Sequence, residues 1–597
     1  MKRILYSGFF LLLFLSACKT DPNSVQEEKV TWRRTSNEVI IRQNTSPAKL
    51  NPLLFTTAPE REINNQIFSL LIDQDPYTFE YIPQLVKSLP VIEDITEGIY
   101  AGGEAFHFEI HENAVWSDGK PVTGHDFVFT IKAVFTPQVP TLRISRFLSL
   151  IKDIQVEESN PKKFTVFTQK KDVDALGSIG NATWVIPKHF YDPQSLLDHI
   201  PCKDFLNEKR IEELAETDEK LQTFSKDFVD VKYARNPEFI LGSGPYKLLE
   251  WKDEGEIVLQ KKENWWGDKL SIEYSGLIAN PSRLIFKAIV DNVTAVAALR
   301  SEEIDAISNV DPNEFLSMRV DSTLSQIYDF ETPPFFGYFF LTLNTRRAKL
   351  ADKRVRQALT HLIDVDQIIE ILFNGMASRL AAPVLPSSKL YNNDLKPYAF
   401  DVKKAKQLLK EAGWEDTNKD GIVDKELDGE RVELKLEFLY VGQSDRYKNL
   451  ALLCEETAKK AGVKFVLKGM ESRTLRANTR NGEYDIAIDG RGWVPLSWHP
   501  KQNWHTSGAG KTGFGSVETD ALIDKISVEL DEEKRISMLK ELQAIIYDEC
   551  PEIYLINPVS RVVVHKRFEW TATPITPGYI PNHFKLKNST KSTNNHK

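Results

Sequence analysis

His111 and Glu112 begin as a zinc-peptidase helix would, but Val115 stands where the second histidine ligand has to be. Gly242, Ser243 and Gly244 lack the spacing of a nucleophile elbow. Residues 508–512, GAGKT, imitate a phosphate-binding loop, yet His505 occupies the place of its first glycine, so the stretch reads as a glycine-rich loop. Asp416, Asn418, Asp420, Gly421 and Asp424 fall at the alternating oxygen-ligand positions of a calcium loop. Leu427 replaces the bidentate glutamate that would close it, which favours a turn and leaves calcium as the alternative. His499 and His505 have no carboxylate or thiolate beside them in sequence and make a poor metal site. The chemistry that stands out is binding. Residues 490–500, GRGWVPLSWHP, set Trp493 and Trp498 among turn residues in a heavily charged part of the chain. Such a segment is either packed into a core or lines a cavity.

The elements that must position these residues begin with an export signal. Residues 1–17 hold Lys2 and Arg3, an apolar run from Ile4 to Leu15, and small residues before Cys18. The run is short of the ~20 apolar residues of a membrane span. Leu15-Ser16-Ala17-Cys18 resembles the bacterial lipobox, which implies that Cys18 is acylated and tethers the chain to a membrane; a plain secretory signal is the alternative. Residues 18–30 read as a flexible tether. Cys202, Cys454 and Cys550 are odd in number and far apart, so they read as buried thiols rather than a disulfide framework, with one pair left open. A net charge of -9 without a basic block excludes nucleic acid as a partner.

Strand and helix patterns alternate through the body, giving a mixed α/β chain of two to four interleaved domains. Phe106, Phe108 and Ile110 alternate as in a half-buried strand, residues 117–121 are turn chemistry, and Thr123 with Asp126 is a capping box that opens a helix. Asp352 caps a helix with Val355, Ala358, Leu359 and Leu362 on one face. Asp401 caps another carrying Ala405, Leu408, Leu409 and Ala412, which Gly413 stops.

These segments resemble the family 5 extracellular solute-binding proteins of ABC importers. LNPLL at 50–54, YIPQLV at 81–86, AVWSDGKPVTGHDFVFT at 114–130, GSGPYKLLEW at 242–251 with NWWGD at 264–268, ALRSEEIDAI at 298–307, DKRVRQALTHLID at 352–364 and AKQLLKEAGW at 405–414 are similar to the family's motifs and follow its order. The resemblance implies a two-lobed, class II periplasmic-binding-protein-like clamshell with an extra subdomain in its first lobe. Expected boundaries are 1–17 signal, 18–30 tether, 31–72, 191–310 and 556–587 first lobe, 73–190 extra subdomain, 311–555 second lobe, and 588–597 polar tail.

The same resemblance implies that Gly492 and Trp493 face the cleft, with Trp498 near them. It places Arg491 and Arg480 near positions that meet anionic ligand groups, and Phe55, Thr56 and Thr57 on the opposite lobe against the ligand. Peptide-binding relatives keep an aspartate three residues after the tryptophan, paired with the ligand's α-amino group; this chain has Leu496 there. An aliphatic side chain cannot meet a desolvated ammonium. The expected solute is therefore a peptide in another register or with a blocked amino end, a peptide-like solute, or a non-peptide such as an oligosaccharide or metal complex. The chain is expected to be a monomeric binding lipoprotein outside the cytoplasmic membrane that works with permease subunits, without cofactor or catalysis. An exported hydrolase or peptidase and a signalling or chaperone-like receptor are the rival classes.

Overall fold

A computed structural model describes residues 32–252, 255–492, 498 and 500–587. Cys18, Trp493, Leu496 and His499 lie outside the described residues. The chain divides into two units, Met1–Ser36 and Asn37–Lys597. In the first, residues 32–36 form no helix or strand. The second carries the sheets. No described helix is long and apolar enough to cross a membrane.

Strand Glu38–Gln43, EVIIRQ, lies inside a seven-stranded sheet and pairs in parallel with Arg283–Ala288 and Ala306–Ser308. Its β-branched residues divide between two faces. Val39 and Ile41 join Leu284, Phe286, Ile257 and Leu259 in one core. Ile40 packs on the other side with Ile307 and Val563 and with Ala298, Leu299, Phe315 and Leu324 of three short helices. The strand at Glu104–Glu109 belongs to a separate four-stranded antiparallel sheet. Phe106, Phe108 and Ile110 are buried in the same continuous core as Val39, while His107 is exposed, which is the alternation expected. Helix Gly124–Phe135 opens as expected, with the Thr123 N–H donating to Asp126 Oδ2 at 2.8 Å.

A six-stranded sheet forms the second body. In its strand Gly337–Leu343, Leu341 and Leu343 pack against helices Lys353–His361 and Val402–Glu411, and Tyr338 and Phe340 pack on the opposite face with Trp504, Leu539 and Leu542. Asp352 and Asp401 cap those two helices by accepting the N–H groups of Arg354 (2.9 Å) and Lys404 (2.9 Å), and Gly413 ends the second at φ +84°.

The two bodies are joined by two short crossings. The chain leaves the first sheet after Glu331 and enters the second at Gly337; it leaves after Pro558 and returns at Val562. The crossings lie side by side: Pro334 bridges Val559 in antiparallel fashion, the Ser560 N–H donates to the Pro333 carbonyl at 2.9 Å, and Asn557 Nδ2 donates to the carbonyls of Phe335 and Gly337, both at 2.7 Å. Buried Arg561 anchors the return through the carbonyls of Val310 (2.6 Å) and Val559 (2.9 Å). This moves the expected lobe boundaries. Strand Tyr328–Glu331 pairs with Val562–His565, so residues 311–331 belong with the first sheet rather than the second lobe. Strand Glu552–Pro558 lies wholly in the second sheet, so the return begins after residue 558 rather than at 556.

Once returned, the chain is fixed by a buried ion pair. Arg567 donates to Asp305 through Nε at 2.9 Å and Nη2 at 3.0 Å and to the Glu38 carbonyl at 2.6 Å. Asp305 also accepts the Ile40 N–H at 2.8 Å, and neither side chain of the pair has exposed surface. Removing one member leaves a desolvated charge. Asp305→Ala should lose about 3–5 kcal/mol in urea unfolding; a loss below about 1 kcal/mol would contradict this role for the pair.

Candidate functional site

The first-lobe candidates sit where the chain enters helix Ala58–Ile67. Thr57 is its N-cap, and Glu60 completes a capping box. The Glu60 carboxylate accepts the N–H groups of Ala48 (3.0 Å), Lys49 (3.3 Å), Thr56 (2.7 Å) and Thr57 (3.1 Å). Burial alone would raise this carboxyl, but the four donors outweigh it and hold it below the usual range. Thr56 and Thr57 thus spend hydrogen bonds on shaping the loop. Phe55 is half-buried, edge-on to Trp184 at 5.0 Å, with the Arg143 guanidinium 3.9 Å above its ring. Thr57-x-x-Glu60 was a readable capping signal for this entry; nothing local in the sequence marks Arg143 as its neighbour.

On the second lobe, strand Ile486–Gly492 ends with Gly492 opposite Gly337, and a side chain built on Gly492 would meet no atom of the described residues within 4 Å. Arg491 is not available to a ligand in the way expected. Its Nη1 donates to Tyr338 Oη (2.8 Å) and Glu552 Oε2 (3.0 Å), and its Nη2 to Glu552 Oε1 (2.6 Å). The rings of Phe340 and Trp504 flank it at 4.5 and 4.8 Å. Burial works against the charged form, and Glu552 overrides it, holding Arg491 well above its ordinary value. Trp498 also departs from expectation: it is 7% exposed and packs edge-on to Trp504 at 5.3 Å in the core, so it answers to packing. Arg480 is exposed in the last turn of helix Ser472–Asn481, where a cation suits the helix C-terminus.

The motifs set aside as chemistry are accounted for by the fold. His111 lies tilted against Trp266 and edge-on to Tyr274 and is lowered by burial, while Glu112 pairs with Lys87 at 2.9 Å. The carbonyl of Ser243 accepts both indole N–H groups of Trp265 and Trp266, and its hydroxyl has no hydrogen-bonding base among the described residues. Asp424 accepts Thr417 Oγ1 at 2.6 Å and Arg431 Nη2 at 3.1 Å, and Asp416 accepts the Gly421 N–H at 3.0 Å, so these carboxylates close a turn. His505 lies 3.7 Å from Asp520 and 3.6 Å from Asp524. No group of three or more metal-ligating side chains is assembled among the described residues. Cys202, Cys454 and Cys550 are buried free thiols, pushed up by burial to about 12, 12 and 11.

Helix Ala58–Ile67 carries one more group that sequence reading passed over. Glu62 accepts Gln43 Nε2 at 2.8 Å through one oxygen, and its other oxygen is buried without a partner among the described residues. Burial lifts its carboxyl to about 7, only partly opposed by Gln43. A raised acid keeps its proton in the folded state between the unfolded value near 4.5 and about 7, so stability falls as pH rises through that window. Glu62→Gln should remove this slope and stabilise the protein at pH 8 relative to wild type by up to about 3 kcal/mol. Melting curves from pH 4.5 to 8 check it, and parallel curves for the two proteins would contradict it.

The model of the bacterial extracellular solute-binding proteins, family 5 Middle, matches residues 80–514. The oligopeptide-binding protein AppA of Bacillus subtilis is 25% identical over 572 residues, covering 94% of this chain and 93% of that protein. Its solved structure, in complex with a nonapeptide, superposes with a TM-score of 0.71 at 22% identity over 93% of this chain and 100% of that one. NikA from Brucella suis, in complex with Fe(III)-EDTA, gives a TM-score of 0.71 at 20% identity over 92% and 100%. With its two largest sheets in separate bodies, its paired crossings and a family match over most of its length, the chain belongs to the bacterial extracellular solute-binding proteins, family 5.

Proposed function

We propose that this chain captures a peptide or peptide-like solute between its two lobes and delivers it to an ABC transporter permease, with no chemistry of its own. The observation that carries the reading is the pair of crossings: two bodies built on separate cores, with the chain passing between them through two short antiparallel segments, can rotate toward each other without repacking either core. The B. subtilis relative named for oligopeptide binding supports a peptide-like solute, and Leu496 directs the search to solutes without a free amine as anchor. The lobes already touch near the hinge. Arg446 Nη2 donates to Asp311 Oδ2 at 3.2 Å, and Asn374 Nδ2 to Asn313 Oδ1 at 2.6 Å. On the subdomain side the Val173 N–H donates to the Ser527 carbonyl at 3.5 Å. A solute that adds contacts to both lobes shifts the population toward the closed form, which is the form a permease would read.

Native mass spectrometry of protein purified from its own cells identifies what the cleft retains. Small-angle scattering should then show a smaller radius with that solute than after its removal; an unchanged radius at saturation would turn the reading toward an enzyme or scaffold. Anchoring is a separate part of the proposal. Cys18 supplies the acylation site, so Cys18→Ala should move the protein from the membrane fraction to the soluble extracytoplasmic fraction, and full retention of the variant in membranes would refute a lipid anchor there.

A further inference from the structure

We propose that Glu62 is a cation-binding group on the first lobe, and that the captured solute presents an ammonium or guanidinium group to it. The inference rests on the chain being a two-lobed solute binder and names the chemistry its first lobe selects. One Glu62 oxygen accepts Gln43 Nε2 at 2.8 Å; the other is buried with no hydrogen-bond partner among the described residues. Other acids of the fold are compensated. Glu60 collects four backbone N–H groups, Asp305 is held by Arg567, and Glu552 by Arg491. An oxygen each of Glu104, Glu314 and Glu433 is also buried without a hydrogen bond, but Lys171, Arg42 and Lys435 act on those carboxyls as cations. Of these acids, Glu62 has a neutral amide as its sole partner. A carboxyl oxygen left unmet inside the protein carries a desolvation penalty that a partner from outside the chain removes.

The topology places this carboxyl where the lobes face each other. Gln43 ends strand Glu38–Gln43, which runs parallel to Ala306–Ser308 with Ile41 level with Ala306, so the two strands finish together, about 5 Å apart. Just past that end, the Val310 carbonyl accepts Arg561 of the return crossing at 2.6 Å, and Asp311 accepts Arg446 of the second lobe at 3.2 Å. Arg446 in turn follows strand Lys435–Val441, which is parallel to Ile486–Gly492, so Gly492 ends on the same side of its own sheet. Ligands of open α/β sheets lie beyond these carboxyl ends of the strands. Glu62 keeps some exposed surface and is therefore not sealed in the core beneath the strand. Tyr579, buried on the returned chain, is the titratable group that feels the Glu62 charge; burial and then Glu62 raise its phenol, so it stays neutral and supplies no countercharge. With Leu496 on the second lobe in place of an acid, Glu62 is where a cationic solute finds a carboxylate. An ammonium or guanidinium donates a charge-assisted hydrogen bond to the unmet oxygen, which a neutral amide or hydroxyl matches only weakly.

The test titrates the full chain with a random short-peptide library, its amino-acetylated counterpart freed of basic side chains, acetylated peptides carrying one lysine, and spermidine. Wild type should prefer the cationic peptides to the neutral acetylated ones by about tenfold or more. Glu62→Gln should remove most of that preference with a melting midpoint at pH 8 no lower than wild type, and Glu62→Asp should keep part of it. Pairing with a cation favours the ionised carboxylate, so calorimetry at pH 6.5 in two buffers should show a proton released on binding by wild type and none by Glu62→Gln, a signature that a merely structural role would not give. Binding of the acetylated lysine peptides identifies a side-chain cation; binding of free-amine peptides without them identifies the terminus in another register, and either supports the site. Equal binding of cationic and neutral peptides, or a Glu62→Gln variant that keeps the preference, overturns the site and leaves the peptide reading standing. Spermidine bound in a Glu62-dependent manner while no peptide binds supports the site and removes the peptide reading. Binding of none of these probes overturns the site.

Discussion

The bidentate pair between Arg567 and Asp305 is the constraint on which the two-lobed arrangement depends. It joins three parts of the chain that are far apart in sequence: the central strand through Glu38 and Ile40, the strand after Asp305, and the segment that returns from the second lobe. Insertion of more than 200 residues between the two halves of a sheet would carry a large closure entropy if the return were loosely held. A salt bridge without solvent contact gives the return one register, because any slip leaves a buried charge unpaired.

A fixed return turns the crossings into a hinge. One connection alone would let the second body swivel; two strands paired through Pro334 and Val559 confine movement to rotation about the pair. Asn557 bonds the carbonyls on both sides of Phe336, and Gly492 sits opposite Gly337, the first residue of the second sheet. The strand end that carries the aromatic segment is therefore coupled to the crossing. Rotation about the crossing changes what that end faces without disturbing the core beneath Leu341 and Leu343.

How much of this was legible in the sequence follows from the range of the interactions involved. The caps at Thr123, Asp352 and Asp401 and the alternation of Phe106, Phe108 and Ile110 are local, and the structure has them where the sequence places them. The start of the second lobe was misplaced because the alternation in residues 328–331, YDFE, says nothing of which sheet the strand joins, and that is fixed by pairing with a segment beginning at Val562. Arg491 looked open to a ligand because its partner, Glu552, lies 61 residues away and meets it only through the order of strands across the second sheet. Trp498 shares a turn-rich segment with other aromatics, and composition alone could not separate a wall from a core; Trp504 decides for the core. Arg143 gave no pattern at all, since only the fold sets it over the Phe55 ring.

Charge inside the two lobes is spent in different ways. Arg491 on the second lobe is neutralised by Glu552, and Arg356, on a helix packed against the other face of the same sheet, by Glu549. On the first lobe the Arg143 guanidinium rests over the Phe55 ring with no carboxylate partner among the described residues. Contacts that a ligand makes with both lobes are complete only after rotation, so they determine how long it stays rather than how fast it arrives. Closure also removes water from the groups it covers, which strengthens any polar contact already made. A solute that touches one lobe alone gains nothing from the rotation, so closure is linked to a ligand that bridges both.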